Sequence, residues 1–286
     1  IMDPILGKGI DKIIEGASKG PVETFSKTWE LVFGKFHLYV DKVIYQREVE
    51  FEKFKEQFKK EISSVPENNL QEPQFSLLGP ALEASKFYIS EKTLSNMFAK
   101  LIASSMDDRK NSLTHHSFVE IIKQLSPNDA ILLKHLKNHE VHPAVKYRAV
   151  LNPKNDGMNI SDTLIKDSPL DIESTEISIN NLVRLGVLNE TFDMSYLTKK
   201  GIYNKFYAPQ FLNHFNKIIE KQRFVSGLEF VKRMLKSGHN LETISKLSGI
   251  EFEVLKLHYS PWVIDIKKGS ISLSAYGKAF VKTCIN

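Results

Sequence analysis

One cysteine, Cys284, occurs in 286 residues, so no intramolecular disulfide can form and the chain suits a reducing compartment. No apolar run approaches the roughly 20 residues that a membrane-spanning helix needs. The opening IMDPILGKGIDKII lacks the basic start, apolar middle and small-residue cleavage site of a signal peptide, which makes the cytoplasm the expected location. A glycine-rich phosphate loop is missing, as is Gly-x-Ser-x-Gly. Neither a P-loop nucleotide hydrolase nor a nucleophile-elbow esterase is therefore indicated, and no motif calls for a cofactor. Neither sign of charge is in large excess: the net charge of +5 does not by itself name nucleic acid as a partner.

What is present is an ordinary globular composition, 42% apolar and 26% charged, long enough for about two domains. The charge is unevenly spread. Residues 221–286 carry 11 Lys and Arg against 5 Asp and Glu, while residues 1–65 carry 11 of each, so the basic excess lies in the last segment.

The apolar spacing predicts a mainly α fold with small β-hairpins. In residues 3–21, Leu6, Ile10, Ile13, Ile14 and Ala17 recur at helical steps, and Gly20-Pro21 is expected to end the segment. From Val22 to Ile62 the stripe continues through Phe25, Trp29, Val32, Phe36, Val40, Val43, Phe51, Phe54, Phe58 and Ile62. This predicts one long amphipathic helix, or two broken near Gly34. A helix of about 40 residues would span roughly 60 Å, more than a compact domain of this size, so its stripe needs a partner. A homo-oligomer, a dimer first, joined through residues 22–62 is the expectation, with the rest of the chain as the alternative partner.

Residues 74–145 read as a helical core. FSLLGPALEASKFYIS and EKTLSNMFAKLIASSMD form two helices, the second capped by Ser90 and burying Leu94, Met97, Phe98, Leu101 and Ile102. SFVEIIKQL follows, and Ser126-Pro127 opens PNDAILLKHLKNH with Asp129 in its first turn. Beyond Pro143 the texture turns polar, and Ala149–Asp171 reads as an exposed excursion. A helix closed by Gly186 is next, then VLNETFDMSYLTKKGIYNKF as a short hairpin leading into a helix. That order is the one a winged-helix unit shows. Residues 221–286 repeat it: Ile244, Leu247, Gly249, Ile250 and Leu255 have helix-turn-helix spacing, and a hairpin is expected around Lys268-Gly269. YLTKKGIYNKF and SLSAYGKAFVK overlay at their glycines, as in a degenerate duplication. The expected domains are thus residues 1–65, 74–145, 146–220 and 221–286.

A DNA-reading helix favours basic and amide side chains at its N-terminus. The candidate helices here carry Glu251 and Glu253, and Glu173 and Glu176, acids that repel phosphate. Lys232, Arg233, Lys236, Lys267 and Lys268 remain candidates for contact with nucleic acid or another partner, the last two as a wing. Protein recognition is favoured over nucleic acid.

HLKNHEVH brings His135, His139 and His142 close in sequence, the first two at a spacing that can chelate zinc. The His-Glu-x-x-His pattern is missed by one residue, so no metal is expected, and these residues read as a polar helix end. Arg109 and His115 in RKNSLTH resemble the Arg-x(4–6)-His signature of HEPN ribonucleases. That resemblance implies metal-independent RNA cleavage at a dimer interface, with the His moving a 2′-hydroxyl proton and the Arg holding the phosphate. His116 is the neighbouring candidate, and Lys110 departs from the residues common after the Arg. The alternative is a loop before a helix capped by Ser117, with Asp107 and Asp108 solvated.

LSNMFAKLIASSMDDRKNSLTHHSFVEIIKQLSPNDAILLKHL, residues 94–136, resembles the core of the abortive infection alpha family of bacterial proteins. Phe98, Leu101, Ala103, Met106, Asp107, His116, Phe118, Val119, Ile121, Gln124, Leu125, Ser126, Pro127, Asp129 and Ala130 occupy matching positions. The segments Leu197–Gly201 and Leu273–Gly277 extend the likeness towards the C-terminus. The resemblance implies a role in phage defence, in which an infected cell stops growing or dies before phage matures, and it supplies no catalytic residues. The leading expectation is a non-enzymatic interaction protein, with an oligomerising helical front and a winged-helix-like back that recognises a phage or host component. A ribonuclease using Arg109 and His115 comes second, and a membrane-perturbing effector using residues 5–18 third. On the first view the Asp108–Ala130 stretch is architectural, with Phe118, Val119, Ile121, Ile122 and Leu125 in the core.

Overall fold

The computed structural model describes residues 19–33, 44–150, 157–192, 197–225, 229–259 and 262–286. The helix expected in residues 3–18 lies outside them. The described residues form a mainly α protein with a small antiparallel sheet. Its helices are α1 (Lys19–Phe33), α2 (Ile44–Ile62), α3 (Phe75–Tyr88), α4 (Lys92–Ser105), α5 (Phe118–Gln124) and α6 (Pro127–Leu136). Then come α7 (Ile172–Arg184), α8 (Pro209–Val225), α9 (Glu229–Lys236), α10 (Leu241–Ser248), α11 (Phe252–Tyr259) and α12 (Ala275–Cys284). The strands are β1 (Val141–Val150), β2 (Met158–Asn159), β3 (Leu164–Ile165), β4 (Leu188–Phe192) and β5 (Val263–Leu273). Two compact units divide the chain: Ile1–Glu140 with Asn181–Asn189 and Leu273–Asn286, and Val141–Asn180 with Glu190–Ser272.

In the first unit the aromatic stripe is shared between α1 and α2, the two-helix form of the expectation. Gly20 and Pro21, expected to end a segment, lie inside α1 instead. Among the described residues the stripe is largely covered from within the chain. Phe25 stacks on Phe58 at 4.6 Å between centroids, and Trp29 lies 5.4 Å from Phe51 and 6.1 Å from Phe54. Phe25, Trp29, Phe54, Phe58 and Ile62 are all buried.

At the centre of this unit is α4, which packs against α2, α3, α5, α6 and α12. The five apolar residues expected in its stripe are buried, and so are Ser95, Ala99, Ala103, Ser104 and Ser105 on its other sides. Those small side chains let neighbouring helices approach, and two of the hydroxyls find acceptors. Ser104 Oγ donates to Thr283 O at 3.0 Å and Ser105 Oγ to Ile102 O at 2.6 Å. The expected Ser90 cap is not formed: Glu91 holds the cap position and makes no side-chain cap bond, so packing holds this end. The entry to α6, by contrast, follows its sequence. Ser126 Oγ accepts from Asp129 N at 3.2 Å and the Asp129 carboxylate accepts from Ser126 N at 2.7 Å, with Pro127 in the first position. Asn181 Nδ2 donates to the same carboxylate at 2.8 Å and to Gln124 O at 3.0 Å, tying the end of α7 to that cap. As expected, Gly186 then closes α7 at φ 71°, its N–H bonded to Val183 O.

In the second unit β1 and β5 pair antiparallel along their whole length, from Val141 opposite Ser272 to Val150 opposite Val263. The sheet order is β2-β1-β5-β4, with β3 also on β1. Three expectations change here. Ala149–Asp171 is not a plain excursion, for Ala149 and Val150 complete β1, and buried Leu164 and Ile165 pair with Val145 and Ala144. Strands of two residues are too short to show a period. Nor is Lys268-Gly269 a hairpin tip, since both lie inside β5. A Cβ on Gly269 would stand 2.4 Å from the Phe192 ring and 2.5 Å from Thr191 O, so the glycine serves a close approach rather than a turn. Finally, β4 pairs with β5, and among the described residues no other strand lies between the two in sequence.

One core cluster of this unit gathers Val145, Tyr147, Leu164, Tyr203, Phe206, Phe215 and Ile266. Tyr147 stacks on Phe215 at 4.2 Å and its hydroxyl donates to Phe206 O. A smaller cluster of Val231, Ile244 and Leu255 holds α9, α10 and α11 together, with Gly249 in the left-handed turn between the last two. Leu247, expected to pack there, is exposed.

Two substitutions separate close packing from capping. A Cβ on Gly277 in α12 would stand 2.0 Å from the Val187 carbonyl oxygen, so Gly277→Ala is expected to destabilise by about 3 kcal/mol or more. Ser126→Ala is expected to cost only about 1 kcal/mol, the usual loss of a cap. Equilibrium denaturant unfolding of both variants checks the ranking.

Candidate functional site

The sequence's first candidates lie on the connection from α4 to α5. After Met106 the chain makes a short 3₁₀ turn, Asp108–Lys110. Asp107, expected to be solvated, is buried at 1% exposure. Its Oδ1 accepts from Arg109 N at 3.1 Å and Nε at 2.8 Å, and its Oδ2 accepts from Nη2 at 2.7 Å. A buried carboxylate needs such a partner, and a planar guanidinium supplies two parallel bonds. Hydrogen bonding from Arg109 holds the Asp107 carboxyl below its ordinary value, and Asp107 in turn raises Arg109. A segment from before α3 fastens the turn from the other side. Leu70 bridges to Asp107, Asn69 Nδ2 donates to Asp108 Oδ1 at 2.9 Å, and Gln71 Nε2 donates to Ser105 O at 3.2 Å.

His115 does the work expected of Ser117. Its Nδ1 accepts from Ser117 N at 3.2 Å and lies 2.6 Å from Ser117 Oγ, which also meets the Tyr276 hydroxyl. Ser117 itself makes no side-chain cap bond to α5. With Nδ1 accepting, the neutral ring carries its proton on Nε2. The ring packs edge-on to Tyr276 at 5.8 Å and against Phe118 at 6.1 Å. His116 Nε2 bonds Ser76 Oγ at 2.8 Å. Arg109 and His115 thus bond to different partners, and no hydrogen bond joins the two.

The other candidates are dispersed. His135 is in the last turn of α6, but that helix ends at Leu136, so His139 falls beyond it and the two do not share a helix face. His142 is buried in β1. Among the described residues no three His, Cys, Asp or Glu are grouped so as to hold a metal ion. Lys232, Arg233 and Lys236 lie on α9, where Lys232 pairs with Glu229 at 3.1 Å and the other two are exposed. Lys267 and Lys268 lie in the middle of β5. Lys267 stands opposite Lys146, and both ammonium groups lie over the Phe192 ring, at 6.0 Å and 4.7 Å. Glu190 accepts from Lys146 at 3.2 Å, which offsets part of that like-charge pairing. Lys268 stands over the Tyr203 ring at 5.7 Å.

Sequence reasoning missed one charged cleft. A cleft of about 60 Å³ opens beside the Asp107–Lys110 turn, lined among others by Glu61, Lys100, Ser104, Asp107, Arg109 and Lys110. The one signal available was the density of charge in MDDRK directly after an apolar helix.

This arrangement defines a class: a mainly helical protein whose first unit is built round one central helix with a pinned polar turn at its end, and whose second unit holds a small antiparallel sheet. The model of the family described as abortive infection alpha matches residues 46–284, and the chain belongs to that family. No curated protein and no solved structure gives a significant match.

The Asp107–Arg109 pair has a pH signature. Its carboxyl is held below the ordinary value of 3.8, so the stability it contributes is complete above that value and is lost as pH falls through the folded-state value. Wild-type stability is expected to fall more steeply below about pH 4 than that of Asp107→Asn, which has no charge to lose there. Unfolding midpoints measured from neutral to acid pH check this.

Proposed function

We propose that the protein acts in phage defence as a non-enzymatic interaction protein, recognising a phage or host protein. Its family supports the setting, and one observation carries the choice of mechanism. The two groups that a ribonuclease of the HEPN kind would use are already engaged in architecture, the Arg109 guanidinium with Asp107 and the His115 Nδ1 with Ser117. A general base must accept a proton, and here Nδ1 is occupied while Nε2 carries one.

Recognition falls to the helix-turn-helix pair α10–α11 and to α9 beside it. Phe230, Leu247 and Val254 are exposed on these helices, at 46%, 62% and 43%, and Glu251 and Glu253 head α11. Apolar side chains rimmed by acids suit a protein surface better than a phosphate backbone. In this reading the pair is a winged-helix-like module turned to protein binding, working in the cytoplasm. Self-association through residues 22–62 would use the outer Leu31 and Val49, because the inner stripe is covered. No helix among the described residues is long and apolar enough to cross a membrane, and the segment of the membrane-perturbing alternative, residues 5–18, lies outside them.

The test is phage plaquing efficiency on cells carrying wild type, His115→Ala or Leu247→Glu, with protein levels matched and total RNA followed. His115 is chosen over Arg109, whose removal would leave a buried carboxylate unpaired. His115→Ala is expected to protect like wild type with RNA intact, and Leu247→Glu to lose protection while folded. RNA loss in infected wild-type cells that His115→Ala abolishes would establish the ribonuclease instead.

A further inference from the structure

The cleft at the end of α4 holds three cations, Lys100, Arg109 and Lys110, and two carboxylates, Glu61 and Asp107. Both carboxylates are engaged. Asp107 gives its two oxygens to Arg109, while Glu61 Oε1 accepts from Gln57 Nε2 and lies 3.7 Å from Lys100 Nζ. Lys100 also donates to Ile285 O at 3.2 Å. Lys110 differs from the other two. Its ammonium makes one hydrogen bond, to Ser104 Oγ at 3.1 Å, and no carboxylate pairs with it. Ser104 Oγ is meanwhile turned to Thr283 O. A half-buried ammonium with a single neutral partner keeps two donors for something else. Arg109 likewise spends Nε and Nη2 on Asp107 and keeps Nη1, with its side chain 48% exposed.

We propose that this cleft binds a phosphate group, held by the free donors of Lys110 and Arg109, with Lys100 also in the lining. Of the three lining cations, Lys110 alone has no carboxylate in bonding reach among the described residues, and that is the charge the cleft offers an anion. A volume of about 60 Å³ has room for a group of a few heavy atoms. The guanidinium is already oriented by Asp107, so little freedom is lost when an oxyanion meets it. This inference is independent of the interaction role proposed above, because it rests on the first unit alone and its test involves no phage.

The experiment is calorimetric titration of the full chain with inorganic phosphate and with adenosine monophosphate, at constant ionic strength. Wild type is expected to bind at one saturable site. Lys110→Met removes a charge-assisted bond at nearly constant side-chain length and is expected to weaken binding roughly tenfold to a hundredfold. Lys110→Arg is expected to retain binding, and Lys146→Met, which alters a cation of the other unit, to leave it unchanged. If Lys110→Met proves unstable, Lys100→Met reports on a second cation of the lining. Equal affinity for the two probes marks a cleft that reads the phosphate alone, and tighter binding of the nucleotide marks a nucleotide as its source. An absence of saturable binding, or Lys110→Met and Lys100→Met variants that bind as wild type does, overturns the proposal.

Discussion

The burial of α4 on all but one narrow face is the constraint on which the first unit depends. A helix with a single apolar stripe needs one neighbour, and α4 has five. Each of Leu94, Met97, Phe98, Leu101 and Ile102 removes a side chain from water, a contribution of about 1.5–3 kcal/mol apiece. The remaining faces work only because they are small: Ala99, Ala103 and the three buried serines leave room for backbones to come close. The last face is closed by α12, which comes from far along the chain and accepts the Ser104 hydroxyl at Thr283 O. Closing so long a loop is entropically costly and is offset only when the whole set of contacts forms. The family match, residues 46–284, takes in both α4 and α12. Without α12 the central helix would lose one of its walls.

The same helix sets the chemistry of the turn that follows it. Its C-terminal carbonyls concentrate negative potential, and Asp107 adds a buried carboxylate just beyond them. Cations at that end are therefore favourable before any ligand is considered. Lys100 and Arg109 answer that demand, each with an acidic partner in reach. Lys110 exceeds it, since the nearby acids are already taken. The distinction between charges that balance the fold and a charge left over separates the architectural part of this turn from the part free to act.

What the sequence disclosed was mostly local. The helix start at Ser126-Pro127, the cap glycine Gly186, the turn glycine Gly249 and the density of apolar residues from Phe118 to Leu125 are each decided within a few residues, and all stand. What it withheld was decided at a distance. VHPAVKYRAV became the central strand because β5 pairs with it from more than a hundred residues away, which no local period announces. Gly269 read as a turn because glycine usually marks one, yet Phe192 crosses there. Asp107 read as solvated because Leu70, which covers that turn, is remote in sequence.

The Arg109 and His115 pair shows how a short signature arises without the chemistry it suggests. A buried carboxylate after α4 requires a guanidinium, and two residues on is near enough for the backbone N–H and the side chain to serve it together. The start of α5 requires an acceptor for orphan N–H groups, and an imidazole two residues before Ser117 supplies one. The spacing between Arg and His is then the length of the connection, fixed by where the 3₁₀ turn stops and α5 begins. Two structural needs at set positions produce the pattern, so the pattern alone adds no weight to catalysis. The group in this stretch that those needs leave unexplained is the ammonium of Lys110.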